Sequence, residues 1–163
     1  MARYLWLMRH AKAAPLVPGQ RDFDRPLTDR GLTQAGWIAS YIAELRHETP
    51  PSWVLHSSAR RTTQTAEITF PDACLIPDRG LYEADIDACV ATLQEQAADH
   101  DVVALVGHNP TVHALAAWLS GDIALASAAF PPSTLCVLRT DRASWSALGA
   151  ASAQRISLQT APR

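Results

Sequence analysis

Val102 to Val106 reads Val-Val-Ala-Leu-Val, an unbroken aliphatic run between Asp101 and the Gly107-His-Asn-Pro110 turn. A strand with one face in water alternates apolar and polar residues, because successive side chains point to opposite faces. A strand without that alternation is covered on both faces, as in a parallel sheet held between layers of helices. Tyr4 to Met8 is a second compact apolar run, closed by Arg9-His10. It is too short for a helix and predicts another buried strand.

Between and after these runs the periodicity changes repeatedly. A loop from about Ala13 to Pro26 carries Pro15, Pro18, Gly19 and Pro26, and Thr28 then serves as a predicted N-cap. Leu32, Ala35, Ile38, Ile42 and Leu45 follow at three- and four-residue steps, which predicts an amphipathic helix ending before Pro50-Pro51. Trp53 to His56 reads as a strand, Ser57-Ser58 as the cap of a helix reaching to Pro71, and Ala73 to Ile76 as a short strand. A helix is predicted from Asp85 with Val90, Leu93 and Ala97 on its inner side. After Val106, Asn109 is the predicted N-cap and Pro110 the first helical residue of a helix ended by Gly121. Leu135–Leu138 and Trp145–Leu148 read as two last strands joined through Thr140-Asp141, while the alanine-rich stretch from Ala124 to Ala129 reads as ordinary helix or loop. Strands alternating with helices predict a three-layer α/β/α sandwich with a mostly parallel central sheet.

Composition narrows the partners. A chain of 163 residues, 48% hydrophobic, suits one domain spanning 1–163 around a single core. Fourteen basic against sixteen acidic side chains give a net charge of -2. That balance predicts no nucleic-acid partner and confines any positive site to one place. Cys74, Cys89 and Cys136 are odd in number and form no C-x-x-C pair, so a reducing cytoplasm fits better than a disulfide framework or a zinc ribbon. No apolar stretch approaches the roughly 20 residues of a membrane-spanning helix. His47, His56, His100 and His113 lack His-Glu-x-x-His spacing and read as structural or exposed, with His56 the one expected to border a pocket.

Three predicted strand ends carry chemistry: Arg9-His10, Arg60-Arg61 just after Ser57-Ser58, and His108-Asn109. Taken singly, each has a plain structural explanation. In a parallel sheet, however, ligands bind outside the carboxyl ends of the strands, where all three would meet. Guanidinium forks match phosphate oxygens in a bidentate way, so the meeting point predicts a phosphoryl site. Backbone N–H groups of the helix starting near Asn109 would add to it.

In chain order, Leu7-Met-Arg-His-Ala-Lys12, Ser57-Ser-Ala-Arg-Arg-Thr-Thr-Gln-Thr-Ala66, Leu81-Tyr-Glu-Ala-Asp85 and Val106-Gly-His-Asn-Pro110 resemble the histidine phosphatase superfamily, and within it the short SixA-type phosphohistidine phosphatases. Asp24-Arg-Pro-Leu-Thr-Asp-Arg-Gly31 matches the group's usual approach to its first helix. The resemblance implies the phosphoglycerate mutase-like fold, with His10 as nucleophile and Arg9, Arg61 and His108 as phosphate ligands. Arg61 is preferred to Arg60 because it stands three residues before the Gln64-Thr65 pair. Glu83 takes the place of the acid that protonates the leaving group, and Asn109 joins the phosphate-binding set. Most members carry glycine where this chain has Ala11, and the added Cβ discourages positive φ there.

The chemistry implied is transfer of a phosphoryl group to an unprotonated ring nitrogen of His10 and then to water, with no metal and no cofactor. Only about a dozen residues separate Phe70 from Glu83, which leaves little chain for a large lid and predicts an open site. The expected substrate is a phosphorylated protein, such as a phosphorelay histidine. The alternatives are a small phosphoester, or a catalytically silent module that recognises a phosphate.

Overall fold

The computed structural model describes residues 2–45 and 49–163, so His47 lies outside the described residues. Among the described residues the elements run β1 (Arg3–Arg9), α1 (Asp29–Glu44), β2 (Trp53–Ser57), α2 (Arg60–Thr69), β3 (Cys74–Asp78) and α3 (Ile86–Gln96). There follow β4 (Val102–Gly107), α4 (Thr111–Ser120), α5 (Ile123–Ser127), β5 (Thr134–Thr140) and β6 (Gln154–Thr160). The strands form one sheet in the order β3-β2-β4-β1-β5-β6. The first four are parallel, and β5 and β6 are antiparallel additions at one side. This is the α/β/α sandwich with a mostly parallel sheet that the alternating pattern predicts.

Two apolar layers explain the unbroken strand runs. Leu5, Leu7, Val103 and Leu105 face Leu93, Leu115 and Leu119 of α3 and α4. Their sequence neighbours Trp6, Met8, Ala104 and Val106 face Ile38, Ile42 and Ala66 of α1 and α2. Both faces of β1 from Leu5 to Met8 and of β4 from Val103 to Val106 are therefore buried, and these central stretches have no room for a polar position.

This layering also positions the site. The chain leaves β1 for α1 on one face of the sheet and leaves the adjacent β4 for α4 on the other face. Such a divergence opens a crevice between the carboxyl ends of the two strands. Register aligns the ends: Arg9 stands opposite Gly107, and His56 opposite Val106. His10, Ser57 and His108 are brought to one rim.

Local capping follows the sequence in part. The Thr28 hydroxyl accepts the Gly31 N–H at 3.0 Å, and Asp85 accepts the Ala88 N–H at 2.9 Å, each satisfying a free donor in the first turn. Gly121 ends α4 with φ 63°, a left-handed value that glycine adopts without strain. The predicted serine cap of α2 is instead Ala59, with the Ser57 hydroxyl accepting the Ala59 N–H at 3.3 Å. The cap of α4 falls on Pro110, because the Asn109 side chain turns away to the Phe130 carbonyl. Leu32, assigned to the inner stripe of α1, is 40% exposed.

The largest departure is at the end of the chain. Trp145–Leu148 is not a strand: Trp145–Ala147 forms a 3-10 turn whose indole is buried and donates to the His100 carbonyl at 2.9 Å. Its apolar character comes from one anchored aromatic rather than a pleated face. The last strand is Gln154–Thr160, an edge strand polar enough to hide from hydrophobic periodicity. The loop from Ala13 to Pro26 also contains a 3-10 turn, Asp22–Asp24, which reaches over the rim.

Candidate active site

His10 follows the last residue of β1, and its backbone is clamped on both sides. Its N–H donates to the Gly107 carbonyl at 3.0 Å and its carbonyl accepts from Ser133 at 3.2 Å. The next residues are pinned by the helices of the facing layer. The Ala11 N–H donates to the Thr65 hydroxyl at 3.1 Å, and the Lys12 N–H to the Gln34 side-chain carbonyl at 3.3 Å. The Lys12 carbonyl accepts from the Thr28 N–H at 2.9 Å. Helix α1 comes this close because residue 31 is glycine: a Cβ there would overlap the Lys12 carbonyl oxygen. Among the described residues positive φ is confined to Gly19, Gly121, Ser133 and Ala151. Ala11 therefore needs no left-handed backbone, and its methyl is fully buried.

The His10 ring has a defined tautomer. Nδ1 lies 2.7 Å from the Ala11 carbonyl oxygen, which can only accept, so Nδ1 carries the proton and Nε2 keeps its lone pair. Burial pushes the ring's pKa down to about 3, against the pull of the Ala11 carbonyl and with help from His108, Arg61 and Arg9. The ring is thus neutral near pH 7. The His108 ring lies 5.2 Å from it, edge to face. His108 is pushed down to about 4, first by burial and then by Arg61.

The two arginines arrive from different elements. Arg9, the last residue of β1, donates to the Phe130 carbonyl at 2.8 Å, while its Nε is buried without a partner among the described residues. Arg61, in the first turn of α2, is buried, whereas Arg60 is exposed. Arg61 Nη1 donates to the Asp22 carbonyl at 2.7 Å, and Nη2 reaches the Asp22 carboxylate at 2.9 Å and His108 Nδ1 at 3.3 Å. His108 Nε2 in turn faces the Ser57 hydroxyl at 2.9 Å.

All six sequence-predicted residues, Arg9, His10, Arg61, Glu83, His108 and Asn109, line one cavity of about 380 Å³, together with Asp22, Arg25 and Tyr82. Asn109 donates its Nδ2 to the Phe130 carbonyl at 3.0 Å, the acceptor that also holds Arg9, and among the described residues its buried Oδ1 has no partner. Its side chain is therefore committed to the wall beside Arg9. The backbone donors expected of α4 lie further off, since that helix begins only at Thr111. His56 does not border this cavity: its ring is buried beneath the rim and Nδ1 donates to the Ser57 carbonyl at 2.9 Å.

Asp22, Arg25 and Tyr82 are the residues that motif reading passed over. The Asp22 carboxylate accepts from Arg25 at 2.6 Å, the Tyr82 hydroxyl at 2.7 Å and Arg61. Burial pushes this carboxyl up, but hydrogen bonds from Tyr82, Arg25 and Arg61 outweigh it and hold the group well below the usual carboxylate range. Asp22 and Arg25 stand three apart around the Asp24-Arg25-Pro26 stretch, and that i,i+3 pairing was their one visible signal. Among the described residues no group of three or more His, Cys, Asp or Glu side chains is arranged to hold a metal ion, and no helix is long and apolar enough to cross a membrane.

The arrangement joins an unprotonated histidine nitrogen to two guanidinium groups and a second imidazole, which suits capture of a phosphoryl group. Comparison with other proteins agrees. A family profile described as histidine phosphatase superfamily (branch 1) matches residues 5–90. An uncharacterised protein of Mycobacterium tuberculosis is 38% identical over 140 residues, covering 81% of this chain and 86% of that one. A candidate phosphohistidine phosphatase SixA from Nakamurella multipartitia shares the fold with TM-score 0.84 and 32% identity, covering 100% of this chain and 98% of the other. A second, from Agrobacterium tumefaciens, gives TM-score 0.82 and 31% identity with 99% of each chain covered. With the motifs in family order, the profile match over more than half its length and relatives above 30% identity, this chain belongs to the histidine phosphatase superfamily.

Proposed function

We propose that this chain is a metal-independent phosphohistidine phosphatase acting on a phosphorylated protein, with His10 as the nucleophile. The observation that carries the reading is the His10–Ala11 hydrogen bond, which leaves Nε2 unprotonated in a cavity shared with Arg9, Arg61 and His108. The resemblance to proteins described as SixA phosphohistidine phosphatases supports the substrate class.

In the first step the Nε2 lone pair attacks phosphorus, the bond from phosphorus to the leaving nitrogen breaks, and that nitrogen takes a proton. Arg9, Arg61 and His108 offset charge on the equatorial oxygens, and fixed electrostatics of this kind usually carry most of the catalysis in phosphoryl transfer. In the second step water attacks phosphorus, the bond to Nε2 breaks, and phosphate leaves. The short 79–85 connection between β3 and α3 supports access for a side chain presented on a protein surface.

Glu83 favours a second reading. It lines the same cavity, where it could protonate the alkoxide of a small phosphoester. General acid catalysis of that kind contributes roughly 100- to 10,000-fold.

The test is hydrolysis of a phosphohistidine protein and of an aryl phosphate in the presence of a chelator, by wild type and His10→Ala, with trapping of acid-labile phosphoenzyme. Turnover and labelling that both vanish in His10→Ala are expected, with the protein the better substrate. Preference for small esters, coupled to strong dependence on Glu83, would favour the second reading. Absence of turnover and label in wild type would leave a phosphate-recognition module instead.

A further inference from the structure

The turn between α5 and β5, Phe130-Pro-Pro-Ser133, grips three residues of the phosphoryl cavity from outside it. The Phe130 carbonyl accepts from Arg9 Nη1 at 2.8 Å and from Asn109 Nδ2 at 3.0 Å, which occupies both of its lone pairs. The Ser133 N–H donates to the His10 carbonyl at 3.2 Å. One short segment therefore holds Arg9 by its side chain and its chain neighbour His10 by the backbone.

The segment is stiff, and both of its ends are fastened. Each proline fixes its own φ and pushes the residue before it toward extended backbone, so Pro131 and Pro132 together restrict the path from Phe130 to Ser133. Ser133 is fully buried with φ 57°, a left-handed value that persists in a residue with a Cβ only where the surroundings impose it. At one end the Phe130 ring stacks on His113 of α4, with centroids 5.0 Å apart and 18° between planes. His113 Nε2 donates in turn to the Leu125 carbonyl at 2.7 Å, fixing the ring against α5. At the other end the Ser133 carbonyl accepts the Ala161 N–H at 3.1 Å, just past β6.

We propose that Phe130–Ser133 is a positioning element that sets the Arg9 guanidinium relative to His10, and that His113 acts through it as a positioning residue. The consequence for catalysis rests on the phosphatase reading; the placement of Arg9 does not. A free arginine side chain gives up much rotamer freedom when a ligand orders it. Held in advance on a carbonyl, the guanidinium meets the phosphoryl group already oriented, which is where fixed electrostatics gain their effect. The reach of that carbonyl is set by backbone stiffness, so the two prolines carry the geometry.

Two variants loosen the element without touching the cavity lining. Pro131→Gly combined with Pro132→Gly frees the backbone, and His113→Ala removes the ring beneath Phe130. Calorimetry with inorganic phosphate should show binding about tenfold weaker in the proline variant, the scale of a lost hydrogen bond to a charged group. Both variants should lose this effect in an Arg9→Ala background, where no guanidinium remains to be placed. Without any ligand, nitrogen NMR should find the Arg9 Nη signals distinct in wild type and averaged together in each variant. His113→Phe keeps a stacked ring and should restore the separation. A phosphate effect of equal size in the Arg9→Ala background, or Arg9 signals that neither variant moves, would overturn the proposal. If the proline variant does not fold, His113→Ala and His113→Phe decide by the same two readouts. Coupling to Arg9 without hydrolysis by wild type would retain the positioning element and remove the phosphatase reading.

Discussion

The Ser57 hydroxyl lies 2.9 Å from Nε2 of His108, on the opposite side of the ring from the Nδ1 that meets Arg61. A guanidinium only donates, so the 3.3 Å approach of Arg61 to Nδ1 requires an unprotonated Nδ1, and Nε2–H then donates to Ser57. Ser57→Ala should leave the ring without that anchor. The expected result is a fall in kcat/KM of about tenfold, the scale of one lost buried hydrogen bond, and a shifted Nε2 resonance in ring nitrogen NMR, with the tautomer still held by Arg61. An unaltered Nε2 resonance and rate would remove Ser57 from the positioning role.

Asp22 places a carboxylate on the guanidinium of Arg61, a ligand of the proposed phosphoryl site. Asp22→Asn removes one negative charge from the cavity wall and keeps an oxygen acceptor there. Inorganic phosphate should bind about fivefold tighter at low salt, with the gap closing as screening rises. Calorimetry at two ionic strengths checks both parts.

His10 and His108, pushed to about 3 and about 4, differ from unfolded histidines near 6.5. Below pH 6.5 the unfolded chain therefore binds more protons than the folded one. The stability linked to these rings is complete above pH 6.5 and is lost as pH falls toward 4 and 3. Ring NMR should find both histidines neutral at pH 5, and urea midpoints should decline between pH 7 and pH 4. Protonation of His10 near 6.5 would contradict the burial argument.

Gly31→Ala drives a methyl against the Lys12 carbonyl, which holds the segment after His10. Backbone cannot yield as a flexible side chain can. We expect a loss of about 2 kcal/mol, typical of overpacking, together with a reduced kcat. Chemical denaturation and steady-state rates on the same preparation separate the two effects.

Much of this molecule was legible in its sequence, for identifiable reasons. Strands buried on both faces leave no polar position, so Tyr4–Met8 and Val102–Val106 announced themselves as β1 and β4. Residues at the ends of such strands converge through topology alone, which is why Arg9, His10 and His108 could be grouped before any contact was known. The edge strand Gln154–Thr160 was invisible because it keeps too little apolar surface to carry a period, and Trp145 mimicked a strand through one anchored indole.

Local sequence determined the alternation of elements, the caps at Thr28 and Asp85, and the chemical content of the rim. Tertiary structure alone decided what occupies that rim: Asp22 on Arg61, Ser57 on His108, and the Phe130 carbonyl shared by Arg9 and Asn109. These contacts join residues 21 to 121 positions apart. Their geometry depends on how layers pack across the sheet, a distance over which no periodicity in the chain carries information.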